Sequence, residues 1–177
     1  WDLAEVNKYF KTSPFIELNG KLFIITNYLG NISFDERFRK KFLDASHKSD
    51  IKLENIEFFY KKSPLKFTFK SADIKLEDHK MLIANLQSTI SETDYKFNGK
   101  VINFISHLFN NSKRIYINGN IQSIYTNFSE ILTLGSLSSN MKSKNIMPHW
   151  IDANVYLDIK KLSHKNFISS NLSGNLL

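Results

Sequence analysis

Apolar residues recur in this chain mostly at every second position, and this alternation constrains the fold more than any other feature. It is clearest at residues 16–24, 65–69, 82–90, 95–101, 115–121 and 151–159. A period of two places successive side chains on opposite faces of a β-strand. The intervening polar residues, such as Gln87 and Asp158, then face water. The pattern therefore predicts half-buried strands with one apolar face each.

One-sided strands of this kind favour an antiparallel meander. A parallel sheet with helices on both faces would show continuous apolar runs, and few are present. Between Leu65 and Leu76 the apolar residues change from odd to even positions, which predicts a bulge or a turn at Ser71-Ala72. We therefore expect an all-β fold with a few short helices.

A five-residue pattern of apolar, small polar, Gly, polar and apolar residues occurs four times, around Gly20, Gly99, Gly119 and Gly174. Asn-Gly is typical of a hairpin turn. However, the flanking apolar residues keep their parity through the Gly, as they would in an unbroken strand. We therefore favour Gly inside a strand, where the missing side chain permits a bend or a close approach, over a hairpin tip.

Helical patterning is scarce and predicts short connectors. Residues 34–46 place Phe34, Phe38 and Phe42 on one face of a helix, and residues 102–109 have an apolar side. Residues 127–134 form a third candidate helix, with Thr126 or Asn127 as its cap. The polar residues 136–146 are predicted to be a loop.

The dispersed charge and the lack of recognisable site motifs limit the classes of function that the sequence supports. The 24 Lys and Arg exceed the 17 Asp and Glu, but the basic residues are dispersed, which disfavours a nucleic-acid groove. The chain has no Cys, and its five His show no metal-ligand spacing. The carboxylates of Glu77, Asp78, Glu92 and Asp94 occur where turns are expected. The sequence thus predicts no catalytic residue, no metal and no cofactor.

The length, ends and hydrophobicity of the chain predict one folded unit within a longer protein. Of its 177 residues 42% are hydrophobic, which is enough to fold, and no apolar run approaches the roughly 20 residues of a membrane-spanning helix. The chain begins at Trp1, and its last residues have a strand-like pattern. We therefore expect residues 1–177 to be a fragment of a larger domain.

The order of several segments resembles a known family. A strand pattern at residues 73–86 leads to Asp-Tyr-Lys-Phe-Asn-Gly-Lys-Val at 94–101 and then to the apolar residues 102–109. A strand pattern at 115–123 precedes Asn-Phe-Ser-Glu-Ile-Leu at 127–132. This order resembles the C-terminal region of AsmA-like proteins, of the superfamily that includes TamB-like and YhdP-like proteins, as found in Bacteroidetes. The family more often has an acidic pair where this chain has residues 127–129.

The resemblance implies a long, strongly bent, open antiparallel sheet that forms an apolar groove. It further implies a periplasmic location, with an anchor in the inner membrane supplied by an upstream segment. Superfamily members are implicated in moving phospholipids between the inner and outer membranes. The implied ligand is a phospholipid or another acyl chain, and other envelope proteins are possible partners.

A lipid groove would be lined by residues of the alternating strands. The expected lining residues are Phe67, Phe69, Leu82, Leu86, Ile90, Phe97, Val101, Ile117, Ile121, Val155 and Leu157. Alternation alone does not distinguish this lining from the core of a closed β-sandwich. A different function is also open: a structural module of an envelope assembly whose edge strands pair with a partner chain.

Overall fold

The computed structural model describes residues 1–9, 13, 15–29, 46–61, 63–109, 114–138 and 150–177, which form one open nine-stranded sheet with short helices. The strands are β1 (Phe15–Leu29), β2 (Ser46–Tyr60), β3 (Lys66–Glu77), β4 (Lys80–Ile90), β5 (Thr93–Ile102), β6 (Ile115–Ser123), β7 (Thr126–Asn127), β8 (Ile151–His164) and β9 (Phe167–Leu176). The helices are α1 (Leu3–Lys8), α2 (Phe104–Phe109) and α3 (Phe128–Ser138). The predicted all-β class, with an open sheet and a few short helices, is confirmed.

Strands β1 to β6 form an antiparallel meander, as predicted. The expectation of a wholly antiparallel sheet is wrong at β8, which pairs with β6 in parallel. The chain passes through β7 and α3 before it reaches β8, and a crossover of this length with a helix is what allows two strands to run in the same direction. Strand β9 then returns antiparallel to β8.

The helices agree in part with the sequence pattern. Helix α2 lies within the predicted segment 102–109, although Ile102 ends β5. Helix α3 begins after Asn127, whose Oδ1 accepts the Ser129 N–H at 3.1 Å, as expected for a cap. This helix continues to Ser138, so the first residues of the predicted loop 136–146 are helical. The rest of that loop and residues 34–45 of the first predicted helix lie outside the described residues, and Ser46 belongs to β2.

A line of backbone irregularities crosses β1 to β4. Register shifts occur in β1 beside Gly20, in β3 around Ser71 and in β4 between Ile83 and Leu86. Asn55 in β2 and Asn85 in β4 have positive φ values of 48° and 54°. The Ser71 hydroxyl donates to the Asn85 carbonyl at 3.3 Å, which joins the irregular points of β3 and β4. Bulges reverse the side-chain parity and bend the sheet, so we call this feature the bulge line.

The bulge line continues into β5 and β6 through glycine. The Asn85 N–H donates to Asn98 Oδ1 at 2.8 Å, and the next residue, Gly99, pairs with Gly119. The predicted bulge at Ser71-Ala72 is confirmed. The prediction that Gly lies inside strands is also confirmed, because Gly20, Gly99, Gly119 and Gly174 fall within β1, β5, β6 and β9.

Candidate functional site

The register of the strands places one almost continuous set of apolar side chains on a single face of the sheet, which we call the apolar face. Its apolar and aromatic members are Phe15, Leu22, Ile24, Tyr28, Ile51, Leu53, Ile56, Phe58, Tyr60, Phe67, Phe69, Ala72, Ile74, Leu76, Met81, Ile83, Leu86, Ile90, Tyr95, Phe97, Val101, Ile115, Ile117, Ile121, Ile151, Ala153, Val155, Leu157, Ile159, Ile168, Leu172 and Leu176. Among the paired residues, the register places one charged side chain on this face, Lys161 near the end of β8, opposite Ser170 of β9.

The predicted lining residues divide unequally between the two faces. Those brought together on the apolar face are Phe67, Phe69, Leu86, Ile90, Phe97, Val101, Ile117, Ile121, Val155 and Leu157. Leu82 lies on the opposite face, paired with Lys75 and Lys100, and its inclusion in the lining was wrong. Leu82 and Leu86 share a parity in the sequence, but the bulge between Ile83 and Leu86 turns them to opposite faces.

Several residues of the apolar face are buried, and they lie on the interior strands β2 to β8. Val155, Ile90 and Phe97 are only 3%, 5% and 7% exposed. Leu86 and Ile117 are half-buried, although they lie on interior strands. Within the part of the chain that is described, no second sheet lies over this face; helix α1 contacts the edge strand β1, and helix α3 contacts β8. These residues therefore do not form the closed β-sandwich considered above.

The opposite face of β1 to β4 is strongly charged. Ion pairs join Lys48 Nζ to Glu77 Oε1 at 2.7 Å and Lys66 Nζ to Glu57 Oε2 at 2.9 Å. A hydrogen bond from Lys48 to Glu77, supplemented by charge attraction, raises the pKa of Lys48 above its ordinary value. Exposed pairs of this kind contribute little to stability. Their importance here is that they show which face of the sheet is suited to water and which is not.

Phe97 covers the glycine pair at the centre of the bulge line. A side chain at Gly99 would place its Cβ 2.6 Å from Phe97 Cζ and 2.4 Å from the Asn118 carbonyl oxygen. A Cβ at Gly119 would lie 2.8 Å from Phe97 Cε2 and 2.5 Å from the Asn98 carbonyl oxygen. Both glycines are therefore required because the paired backbones and the Phe97 ring occupy the space of a side chain.

Aromatic rings are concentrated on one side of the bulge line. On the apolar face, the Phe58 ring stacks on Phe67 at a centroid distance of 5.1 Å and on Phe69 at 6.1 Å, and it meets the edge of Phe15 at 5.0 Å. On the other side of the line the same strands carry aliphatic residues, such as Ile51. The apolar face thus has an aromatic half, in which the rings contact one another, and an aliphatic half.

The carboxylates near the turns have structural partners. Both oxygens of Asp94 accept the Ile124 N–H at 3.1 Å, and Asp94 Oδ1 also accepts the Tyr125 N–H at 2.6 Å. Glu130 is 7% exposed, and its Oε2 accepts the Thr93 hydroxyl at 2.6 Å. These contacts tie α3 and the end of β6 to β5. No cluster that could hold a metal ion occurs among the residues that the structure describes.

Several members of the apolar face were not anticipated from the sequence, notably Phe58 and Ile83. In β2 the parity reverses at Asn55, which has a positive φ, so the apolar residues do not follow one simple alternation. In β4 both Leu82 and Ile83 are apolar, so alternation does not show which of the two lies on the apolar face. An Asn inside an apolar alternating segment was the available signal, since Asn tolerates positive φ better than most residues.

None of the described helices is long and apolar enough to cross a membrane. Comparison with known proteins finds no matching family model, no matching curated protein and no matching solved structure.

Proposed function

We propose that the apolar face binds the acyl chains of phospholipids. On this proposal the chain is a non-enzymatic, periplasmic segment of an AsmA-like envelope protein, anchored to the inner membrane by an upstream segment. It conducts lipids between the inner and outer membranes. The acyl chains lie against the apolar face, and the head groups stay at the open edge of the sheet.

The observation that carries this proposal is the unequal distribution of charge between the two faces. From β1 to β9 the paired positions of the apolar face hold one charged residue, Lys161 near the end of β8, while ion pairs occupy the opposite face. Among the described residues no second sheet lies over this face, and exposed apolar surface is unfavourable in water, at about 25 cal/mol per Å². Lipid chains would remove that cost where no second protein layer is present.

The dimensions of the sheet suit more than one acyl chain. Eight strands lie side by side from β1 to β9. At about 4.8 Å between neighbouring strands, they span roughly 34 Å. One acyl chain spans about 15 Å, half of a bilayer hydrocarbon core. The face is therefore wide enough to hold chains in sequence, as a conduit requires.

The experiment compares Leu86→Glu with Leu82→Glu. Both positions carry Leu on β4, but Leu86 lies on the apolar face and Leu82 on the charged face, where it is 51% exposed. Each protein is purified gently, and lipids in its organic extract are identified by mass spectrometry. We expect phospholipid with the wild-type protein and with Leu82→Glu. With Leu86→Glu the amount of bound phospholipid should fall at least tenfold, because an acyl chain against this position would remove the Glu carboxylate from water.

Circular dichroism of both variants provides the control for folding. If Leu86→Glu remains folded and keeps its lipid, or if the wild-type extract contains none, the proposal is wrong. A Phe97→Glu variant repeats the test at a second position of the apolar face. Global unfolding of both Leu86→Glu and Phe97→Glu would indicate a core closed by protein rather than a lipid surface.

A second candidate function is a structural module of an envelope assembly that acts by pairing its edge strands with a partner chain. The observation that favours it is the exposure of β9, where Phe167 and Ile168 are 60% and 63% exposed. It predicts protein crosslinks along the sheet edges and no copurified lipid. The same extraction experiment therefore separates the two functions.

A further inference from the structure

Strand β9 is an edge that lacks the usual protection against pairing. It pairs with β8 on one side, and no described residue pairs with its other side. Residues 166–177 contain no Asp, Glu, Lys, Arg or Pro. Natural edge strands are normally protected by charges, by Pro or by a covering segment. An uncharged, exposed edge of this length is suited to accept another strand.

The opposite edge of the sheet, β1, carries charged residues and is partly covered. Strand β1 carries Glu17 and Lys21, and residues 1–2 already lie along it. The Trp1 amino group donates to the Leu22 carbonyl at 2.6 Å, and the Leu22 N–H donates to the Trp1 carbonyl at 2.9 Å. The two edges are therefore unequal, and β9 is the one left open among the described residues.

The molecule itself shows how its Gly-centred segments pair. In β5 and β6 two of these segments lie antiparallel, with Gly99 opposite Gly119 and Phe97 opposite Ile121. Apolar residues thus meet apolar residues on one face, and Asn98 meets Asn120 on the other. The pattern is symmetric about its Gly, so it is complementary to a reversed copy of itself.

Strand β9 carries the same pattern at residues 172–176, Leu-Ser-Gly-Asn-Leu. We propose that β9 pairs antiparallel with β9 of a second copy of this chain, about a two-fold axis at Gly174. This register places Leu172 opposite Leu176 of the second copy, and Ser173 opposite Asn175 of the second copy. Because the segment is uncharged, the two-fold pairing brings no like charges together.

The pairing also continues the apolar face across the dimer. Leu172 and Leu176 pair with Ile159 and Val155 of β8, so both lie on the apolar face. They are 39% and 40% exposed, whereas Val155, with a strand on each side, is 3% exposed. A neighbouring β9 would cover the exposed sides of these leucines and satisfy the outward backbone groups of the strand. The interface is isologous, and it closes at two subunits.

Gly174 offers a sharp test because no atom lies within 4 Å of a Cβ built at this position. A side chain is therefore tolerated in one subunit. At the axis, two copies of Gly174→Lys would bring like charges together across paired backbones, whereas Gly174→Lys mixed with Gly174→Glu would bring opposite charges together. Asn154→Lys, an exposed position on the interior strand β8, is the matched control for added charge.

The measurement is sedimentation velocity of the full 177-residue chain over a concentration series, since a strand-edge interface is small and its association weak. We expect wild type and Asn154→Lys to approach the dimer at high concentration. Gly174→Lys should remain monomeric, and the Lys and Glu variants mixed should dimerise again. The inference is overturned if wild type stays monomeric up to its solubility limit, if Gly174→Lys alone dimerises, or if species larger than dimers form. None of these results depends on lipid.

Discussion

Replacement of Gly119 by Ala tests the close approach of β5 and β6 on which the centre of the sheet depends. The added Cβ would lie 2.5 Å from the Asn98 carbonyl oxygen and 2.8 Å from Gly99 Cα, both backbone atoms of the paired strand. Backbone in the middle of a sheet cannot move away without breaking ladder hydrogen bonds on either side. We therefore expect the two strands to separate locally and the Phe97 ring to lose its packing contact with Gly99 and Gly119.

The magnitude follows from two opposing effects. Overpacking of a filled site costs about 1–3 kcal/mol, and the upper part of this range applies because two of the contacts are to backbone. Replacing Gly by Ala in a strand otherwise gains about 0.5–1 kcal/mol, because Gly loses more conformational entropy on folding. The net loss expected for Gly119→Ala is therefore about 1–2 kcal/mol.

Gly174→Ala is the matched control, because a Cβ at Gly174 meets no atom within 4 Å. We expect it to be neutral or to stabilise the fold by up to about 0.5–1 kcal/mol. Urea unfolding followed by circular dichroism measures both, and with a slope of about 1–3 kcal/mol per M the two midpoints should differ by about 0.3–3 M. Equal midpoints for the two variants, or a wild-type midpoint for Gly119→Ala, would show that β5 and β6 have room for a side chain at Gly119.

Three further predictions concern the charged groups. Glu130→Gln should lower the free energy of unfolding in urea by about 1–3 kcal/mol, because the buried carboxylate accepts the Glu92 N–H at 3.1 Å and the Thr93 N–H at 3.0 Å, and an unchanged midpoint would contradict this. A hydrogen bond from the His47 N–H lowers the pKa of Asp78, so its stabilising effect is present above its unfolded pKa and lost as the pH falls through the folded value. The difference in unfolding free energy between wild type and Asp78→Asn should thus shrink below about pH 4, and a difference that grows would contradict the assignment. On heparin we expect elution below physiological salt, since the basic residues are dispersed; strong, steeply salt-dependent retention would instead indicate nucleic-acid binding.

Features that depend on local pattern were predictable from the sequence. Alternation located the strands, and the change of parity between Phe69 and Ile74 revealed the bulge in β3 because each residue there is clearly apolar or polar. The constant parity through Gly99 and Gly119 placed both inside strands, since a hairpin tip would have ended the alternation. Most of the expected lining residues share one face for the same reason.

Features that depend on distant partners were not predictable. Leu82 was placed on the wrong face because apolar residues at 82, 83 and 84 mask the bulge that follows. The parallel pairing of β6 with β8 depends on the path of the crossover between them, which strand periodicity does not encode. The interactions of Glu130 with Thr93 were also not predictable, because no sequence pattern relates a carboxylate in a helix to a strand end 37 residues away.

Photocrosslinking from opposite faces of β4 detects directly whether lipid covers the apolar face. Benzoylphenylalanine is introduced in place of Leu86 on the apolar face or in place of Leu82 on the charged face. The cells are labelled with radioactive phospholipid precursor and irradiated. We predict a lipid adduct from position 86 and none from position 82. Protein crosslinks without lipid at position 86, or equal lipid adducts at both positions, would contradict the account.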